Sequence, residues 1–380
     1  MGFLPETIDL ELHLPSRHGP LPALRRIVDG LGATPVIVTD STLAELVLMA
    51  SVRAEVGGAL EIIVDVGEPT TAAVGLVQAA LIGRGDVVVA VGGGSVIDIA
   101  KLAGALVGSG GVLSDYLLSA IPFTSSLPVV AIPTTAGSGA EVTRTSVVSV
   151  DGRKSWAWDE MLRPNAVVLD PALTLDLPAS VTVATGLDAL VHAIEAATAR
   201  RLDSVATELG LWAVAGIGSA LPSVIADPAD IRARGVMLSS STAAGLAIDR
   251  CGTGIAHGLG HALGSIASVP HGLAVALCLE VAAPFNVEFG DERCAAVARA
   301  LGGPDLEEEL GRFMTAVGLD AALERFAADQ SVDSTTLTNE ALADLNTPMR
   351  LNNVRPAQPS DVASLAEQVA ERWEGVGGRR

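Results

Sequence analysis

The chain has 380 residues, enough for two domains that each bury a core of their own. With 24 Lys and Arg against 44 Asp and Glu, a formal charge of −20 and a pI near 4.6, it lacks the basic face that a nucleic-acid backbone requires. Mean hydropathy is high, at +0.46, but Gly, Pro, Asp or Arg interrupts the apolar stretches short of the roughly eighteen residues of a membrane span, so no membrane partner is expected.

The opening MGFLPETIDLELHLPSRHG has neither the basic start nor the apolar block of a secretory signal, and the expectation is a cytoplasmic protein. From there the first half alternates β-branched runs with helical stretches. PVIVTD (35–40), LEIIVDV (60–66), GDVVVAVGGGS (85–95), LPVVAIPTT (127–135) and NAVVLDP (165–171) read as strands of a largely parallel sheet covered by helices. Asp40 closes the first run, where a carboxylate either holds a ribose diol or caps a helix beginning at Ser41. After the third, Gly93, Gly94 and Ser95 lead into the helical VIDIAKLAGAL. Unhindered backbone N–H groups at a helix start suit a phosphate, although a tight turn accounts for the glycines equally well. The stretch matches neither G-x-G-x-x-G nor the Walker lysine motif. AIPTTAGSGAEVT repeats the arrangement, with Thr134, Thr135 and Ser138 beside Gly137 and Gly139.

Beyond Pro178 the β-branched runs become scarce and alanine and leucine recur at helical spacing, which predicts an α/β domain over 1–177 and an all-helical domain over 178–380. ATGLDALVHAIEAATAR puts Asp188 and His192 at i, i+4 on one helix face, with Glu195 nearby as a supporting or structural group. GTGIAHGLGHALGSIASVPHGLAVAL then holds His257, His261 and His271, the last after a helix-starting proline. Taken singly, each histidine reads as a packed, hydrogen-bonded side chain. Together, one carboxylate and two or three imidazoles make a borderline donor set suited to Fe(II) or Zn(II). Cys251, Cys278 and Cys294 are odd in number and lack C-x-x-C spacing, so neither a disulfide framework nor a thiolate site is indicated; Cys251 reads as a small buried thiol.

These segments, in this order, resemble the iron-containing (group III) alcohol dehydrogenases of the dehydroquinate synthase-like superfamily. The likeness rests on VTDSTL, GEPT, VGGGSVIDIAK, PVVAIPTTAGSGAEVT, LDPALTLDLP, ATGLDALVHAIEA, AHGLGHALG, VPHGLAVAL and TPMRLNNV. It implies an N-terminal dinucleotide-binding domain, a helical metal-binding domain and a catalytic metal in the cleft between them. By the resemblance Asp188, His192, His257 and His271 take the ligand positions, and His261 that of a nearby non-ligand histidine able to relay a proton. Gly93, Gly94 and Ser95 would hold the pyrophosphate, Asp98 would lie beside the nicotinamide, Thr134 and Thr135 would contact the cofactor, Asp40 would take the adenosine ribose, and Lys154 would lie along the cofactor. Thr145 stands where relatives often carry asparagine.

The activity so implied is metal-dependent hydride transfer between NAD(H), in preference to NADP(H), and a small aldehyde, ketone or alcohol, by further copies of the chain in a homodimer or higher homo-oligomer. Readings of maleylacetate reductase, glycerol dehydrogenase or dehydroquinate synthase type share the fold, and a non-catalytic assembly protein is the weakest. The intact ligand set argues against the metal-free reductase, Ser95 favours the alcohol dehydrogenase branch, and two lysines are poor support for a phosphorylated sugar acid. Ser265, Ile266, Ala267 and Ser268, where relatives often carry bulky aromatics, suggest a wider pocket. A guanidinium from Arg250 or Arg144 facing it would favour an aldehyde with an anionic tail, the other reading of each being a surface ion pair.

Overall fold

The computed structural model describes residues 24–378 apart from 66, 291 and 329; the opening segment and the final arginines lie outside them. The five β-branched runs become β1 (Pro35–Asp40), β2 (Leu60–Val64), β3 (Val87–Gly92), β4 (Val129–Pro133) and, after a hairpin of β5 (Thr145–Val150) and β6 (Arg153–Trp158), β7 (Ala166–Val167). The first four and β7 form one parallel sheet in the order β2-β1-β3-β4-β7. Its helices are α1 (Leu24–Leu31), α2 (Ser41–Ala44), α3 (Leu48–Val56), α4 (Thr71–Leu81) and α5 (Gly94–Ser109).

Side chains alternate across a strand, and both faces are covered. Ile37, Val87, Val89 and Ile132 pack with Leu24 and Ile27 of α1 and Met49 and Val52 of α3. Val36, Val88, Ala90 and Ala131 pack with Val74 and Val77 of α4 and Ile97 of α5. This is why the β3 segment is apolar at consecutive positions: every residue of Val87–Gly92 is buried. The chain leaves β1 for β2 on one side and β3 for β4 on the other, so the strand order switches between β1 and β3, where open α/β sheets bind ligands at the carboxyl edge.

The sequence reading did not single out the β5–β6 hairpin. Its signal is TSVVSV and RKSWAW around Asp151 and Gly152, both with positive φ (49° and 77°), as a two-residue hairpin turn demands.

Among the described residues the later part of the chain holds no strand, as expected. It comprises α6 (Ala179–Thr198), α7 (Ser204–Ala226), α8 (Ile231–Cys251), α9 (Ile255–Ala267), α10 (His271–Glu288), α11 (Glu292–Leu301), α12 (Leu306–Ala316), α13 (Leu319–Ala327), α14 (Ser334–Ala341), α15 (Thr347–Asn352) and α16 (Pro359–Gly377). One unit runs to Thr135 and takes in Ala140–Asp176; the other is built from Leu177 onward and also takes in Ala136–Gly139. Helix α7 is long and apolar enough to cross a membrane by length and composition alone, which corrects the expectation that every apolar stretch is too short. It packs on α6 and α8 through Ala206, Gly210, Ala213 and Ile217, and carries Glu208 outward. Helix α10 can lie close against α6 because its second residue is glycine: a Cβ at Gly272 would fall 1.8 Å from the carbonyl oxygen of Ala184.

Candidate metal centre

Within the helical unit the i, i+4 spacing on α6 sets Asp188 and His192 on one buried face. Gly254 starts α9, placing His257 in its first turn, and Pro270 starts α10 at His271. Asp188 Oδ1 lies 3.5 Å from His271 Nε2, 3.8 Å from His257 Nε2 and 3.9 Å from His192 Nε2. These exceed hydrogen-bond length. They are close to the separation of about 3.4 Å expected between donors arranged tetrahedrally at about 2.1 Å from one ion. Asp188 Oδ1 and His257 Nε2 are buried without a hydrogen-bond partner, and Asp188, His192 and His257 satisfy the spacing of a metal cluster. Buried polar atoms left in this way are costly unless something bridges them, so the donor set fits a divalent ion.

The electrostatics agree. Burial opposes ionisation of Asp188, but the His192, His271 and His257 rings hold its carboxyl far below the usual range. Burial likewise disfavours charge on His192 and lowers its pKa, leaving a neutral ring suited to ligation. His257 goes the other way: burial opposes its protonation, yet Glu195 and Asp188 outweigh it and push it up to about 9. The cluster therefore attracts positive charge, which a divalent cation also supplies.

Glu195, left open between support and structure by its sequence position, is the residue that orients His257. Its Oε2 accepts from Gly254 N (2.7 Å) and lies 2.6 Å from His257 Nδ1, while Oε1 accepts from Ala256 N (2.8 Å) and His257 N (3.3 Å). A carboxylate at the amino end of α9 is also favoured by the helix dipole. His261 follows one turn on, its ring 5.2 Å from that of His271 and 6.1 Å from that of His257.

In the α/β unit, Asp40, Gly93 to Ser95, and Thr134 and Thr135 lie at the carboxyl ends of three adjacent strands, whereas Asp98 lies within α5 and Lys154 on the separate hairpin. Asp40 ends β1 and accepts from Thr42 N and Leu43 N, both at 2.9 Å and both on Oδ1, so it caps α2. Gly93 begins α5 with no side-chain cap, leaving the first-turn N–H groups of Gly94 and Ser95 to serve an anion. Thr134 donates its N–H to Gly92 O at 3.0 Å, and a Cβ on Gly93 would sit 3.4 Å from the Thr135 side chain, so β4 brings both threonines against the glycine turn. Asp98 is buried on α5 and accepts from Val147 N (3.1 Å) and Lys101 Nζ (3.4 Å); burial raises its pKa against the pull of Lys101. Lys101 Nζ also donates to Ala140 O and Thr145 O, which ties the start of the hairpin to α5, a role its sequence position did not disclose. Lys154, on β6, pairs with Glu68 at 2.9 Å.

Arg250 Nη2 pairs with Asp203 Oδ2 at 2.8 Å. Arg144 pairs with Glu160 at 2.5 Å and stacks its guanidinium 4.6 Å from the Trp158 ring centre. Both arginines thus take the ion-pair reading, and the case for an anionic substrate tail loses its residues. Cys251 is a buried thiol that donates to Ala247 O at 3.2 Å, its pKa pushed up to about 12 by burial.

With a parallel sheet, a glycine-started helix at its switch point and an aspartate–histidine cluster in a helical unit, the chain belongs to the iron-containing alcohol dehydrogenase family. Residues 16–171 match the iron-containing alcohol dehydrogenase description, and residues 182–370 match the C-terminal part of the Fe-containing alcohol dehydrogenase family. The chain is 41% identical to the probable alcohol dehydrogenase EutG of Escherichia coli over 46% of its own length and 45% of that protein. It is 33% identical to the 1-propanol dehydrogenase PduQ of Salmonella typhimurium over 63% of its length and 69% of that protein. It spans about half the length of several curated relatives it matches. The crystal structure of sulfoacetaldehyde reductase from Bifidobacterium kashiwanohense in complex with NAD+ superposes with a TM-score of 0.83 at 24% identity, covering 92% of this chain and 94% of that one, a likeness of fold.

Proposed function

We propose that the protein is a metal-dependent oxidoreductase that interconverts an aldehyde or ketone and an alcohol by hydride transfer with NAD(H). The observation that carries this reading is the convergence of one carboxylate and three imidazoles, from Asp188, His192, His257 and His271, on a buried point. Family membership supports it, and the unhindered amides at the start of α5 support a dinucleotide. Fe(II), or Zn(II) in its place, supplies Lewis acidity toward the substrate oxygen when bound.

The protein's own groups do the rest. Asp188, His192, His257 and His271 are the metal ligands, and Glu195 holds the His257 ring at Nδ1 so that Nε2 faces the other donors. Gly93, Gly94 and Ser95 hold the pyrophosphate. Thr134 and Thr135 contact the cofactor, Asp98 serves its nicotinamide side, Lys154 lies along it, and Asp40 uses its second oxygen for the ribose diol, which disfavours NADP(H). His261, one turn beyond a ligand, moves the proton that accompanies hydride transfer. The substrate is a small neutral aldehyde or alcohol, since Arg250 and Arg144 are engaged elsewhere. The enzyme works in the cytoplasm as a homo-oligomer; the exposed apolar side chains Leu202, Val205 and Trp212 support association.

The test is NADH oxidation across a panel of aldehydes by protein stripped of metal and reloaded anaerobically with Fe(II) or Zn(II). Activity that returns with metal and is lost in His257→Ala supports the reading; full activity after stripping would overturn it.

A further inference from the structure

TPMRLNNV contributes no reactive group, yet its two asparagines reach every helix that bears a candidate ligand. Asn352 donates Nδ2 hydrogens to Cys251 O at 2.9 Å, at the end of α8, and to Thr253 O at 3.0 Å, in the linker to α9. Its Oδ1 accepts from Arg201 N at 3.2 Å and its backbone carbonyl from Arg200 N at 2.7 Å, just beyond α6. Asn353 is buried. Its Nδ2 donates to Asn286 Oδ1 on α10 at 2.6 Å and to Arg355 O at 2.8 Å, and its Oδ1 accepts from Ile255 N, the first residue of α9, at 3.4 Å.

Both amides use two donors and an acceptor, which asparagine offers and aspartate does not. The linker they grip, Gly252-Thr253-Gly254, has little conformational preference of its own. Gly254 is wedged where a Cβ would lie 2.9 Å from Glu195 Oε1 and 3.0 Å from Asn353 Oδ1, so the glutamate that orients His257 and the asparagine meet at the same glycine, accepting from the neighbouring N–H groups of Gly254 and Ile255.

We propose that Asn352 and Asn353 are positioning residues, a strap across α6, α9 and α10 that sets how tightly the Asp188, His192, His257 and His271 site binds its metal. This rests on the metal reading above. The strap acts through geometry: the three imidazole nitrogens sit 3.5–3.9 Å from Asp188 Oδ1, on three separate helices, and a small drift of α9 would pull His257 Nε2 out of reach of an ion shared with the others. Because its hydrogen bonds lie outside the donor set, the strap alters affinity and coordination geometry without removing a ligand.

The experiment titrates metal-stripped protein with Zn(II) against a chelator of known affinity and records the Co(II) ligand-field spectrum. It uses wild type, Asn352→Ala, the near-isosteric Asn352→Asp and the milder Asn353→Ser. Asp305→Ala, which removes the side-chain cap of α12 and none of the strap's bonds, controls for general destabilisation. The expected result is Zn(II) affinity lowered about 10- to 100-fold in the strap variants with altered Co(II) bands. Asp305→Ala should lower Tm and leave both unchanged. Strap variants that match wild type in affinity and spectrum, or an equal loss in Asp305→Ala, would overturn the strap alone. Wild-type protein that binds no Zn(II) would overturn the metal reading and the strap with it.

Discussion

His257 Nδ1 and Glu195 Oε2 lie 2.6 Å apart in the buried centre of the helical unit, so the carboxylate accepts the Nδ1 hydrogen and the ring is held with Nε2 turned toward Asp188. Glutamine in place of Glu195 keeps the shape and loses the charge. Its amide nitrogen replaces an oxygen that now accepts from Gly254 N or Ala256 N, so a backbone donor or the ring must give way. We expect Glu195→Gln to weaken Zn(II) binding about 10- to 100-fold in a chelator competition. Unchanged affinity would reduce Glu195 to a helix cap.

The three clustered histidines should separate by role. His257→Ala and His271→Ala each remove a donor near Asp188 Oδ1 and should leave the purified protein largely free of metal and inactive. His261→Ala should keep wild-type metal content while kcat falls about 10²-fold or more, the contribution of a positioned proton-transfer group. Elemental analysis beside steady-state kinetics decides it, and a metal-free but active His257→Ala would reverse the assignment.

Asp40 has two roles to disentangle, since the same carboxylate caps α2 and would face a ribose. Serine caps a helix about as well as aspartate but carries no charge. Asp40→Ser should therefore leave Tm near wild type while raising kcat/KM with NADPH relative to NADH, because the repulsion of a 2′-phosphate is gone. An unchanged cofactor ratio would leave Asp40 a cap only.

Much of this was legible because it is local. The five strands follow from β-branched runs ended by Gly, Pro or Asp, and spacings of four along α6 and α9 with a proline at the start of α10 mark a candidate carboxylate and imidazole cluster, within which only the family resemblance separates candidate ligands from His261. The β5–β6 hairpin was equally local, but its Asp-Gly turn sits between strands whose polar residues blur the alternation. What the sequence could not disclose is long-range. Asn352 and the carbonyls it holds are about a hundred positions apart, and Ala136–Gly139 joins a unit whose other residues begin forty positions later. The same is true of Arg250, whose partner Asp203 lies on the far side of α7 and α8 in sequence; nothing near either residue announces the pair.

That pair gives the last expectation. Arg250 Nε reaches both carboxylate oxygens of Asp203 at 3.1 Å, and Asp203 also caps α7 through Ala206 N. The hydrogen bond and charge of Arg250 hold Asp203 below its ordinary pKa. A carboxyl depressed in the folded state contributes stability that is complete above its unfolded value, near 3.9, and is lost as pH falls through the folded value. Arg250→Ala should thus cost stability at pH 7, and the gap to wild type should close as pH drops below about 4. With the two side chains still 26% and 23% exposed, solvent and salt screen the pair, and the loss should be about 1 kcal/mol or less. Urea unfolding at pH 7 and pH 3 measures it. In the same variant, kcat/KM across neutral and anionic aldehydes of matched length should keep its wild-type ranking, because the guanidinium is spent on Asp203. A selective loss of the anionic aldehydes would mean that Arg250 leaves the ion pair to bind substrate.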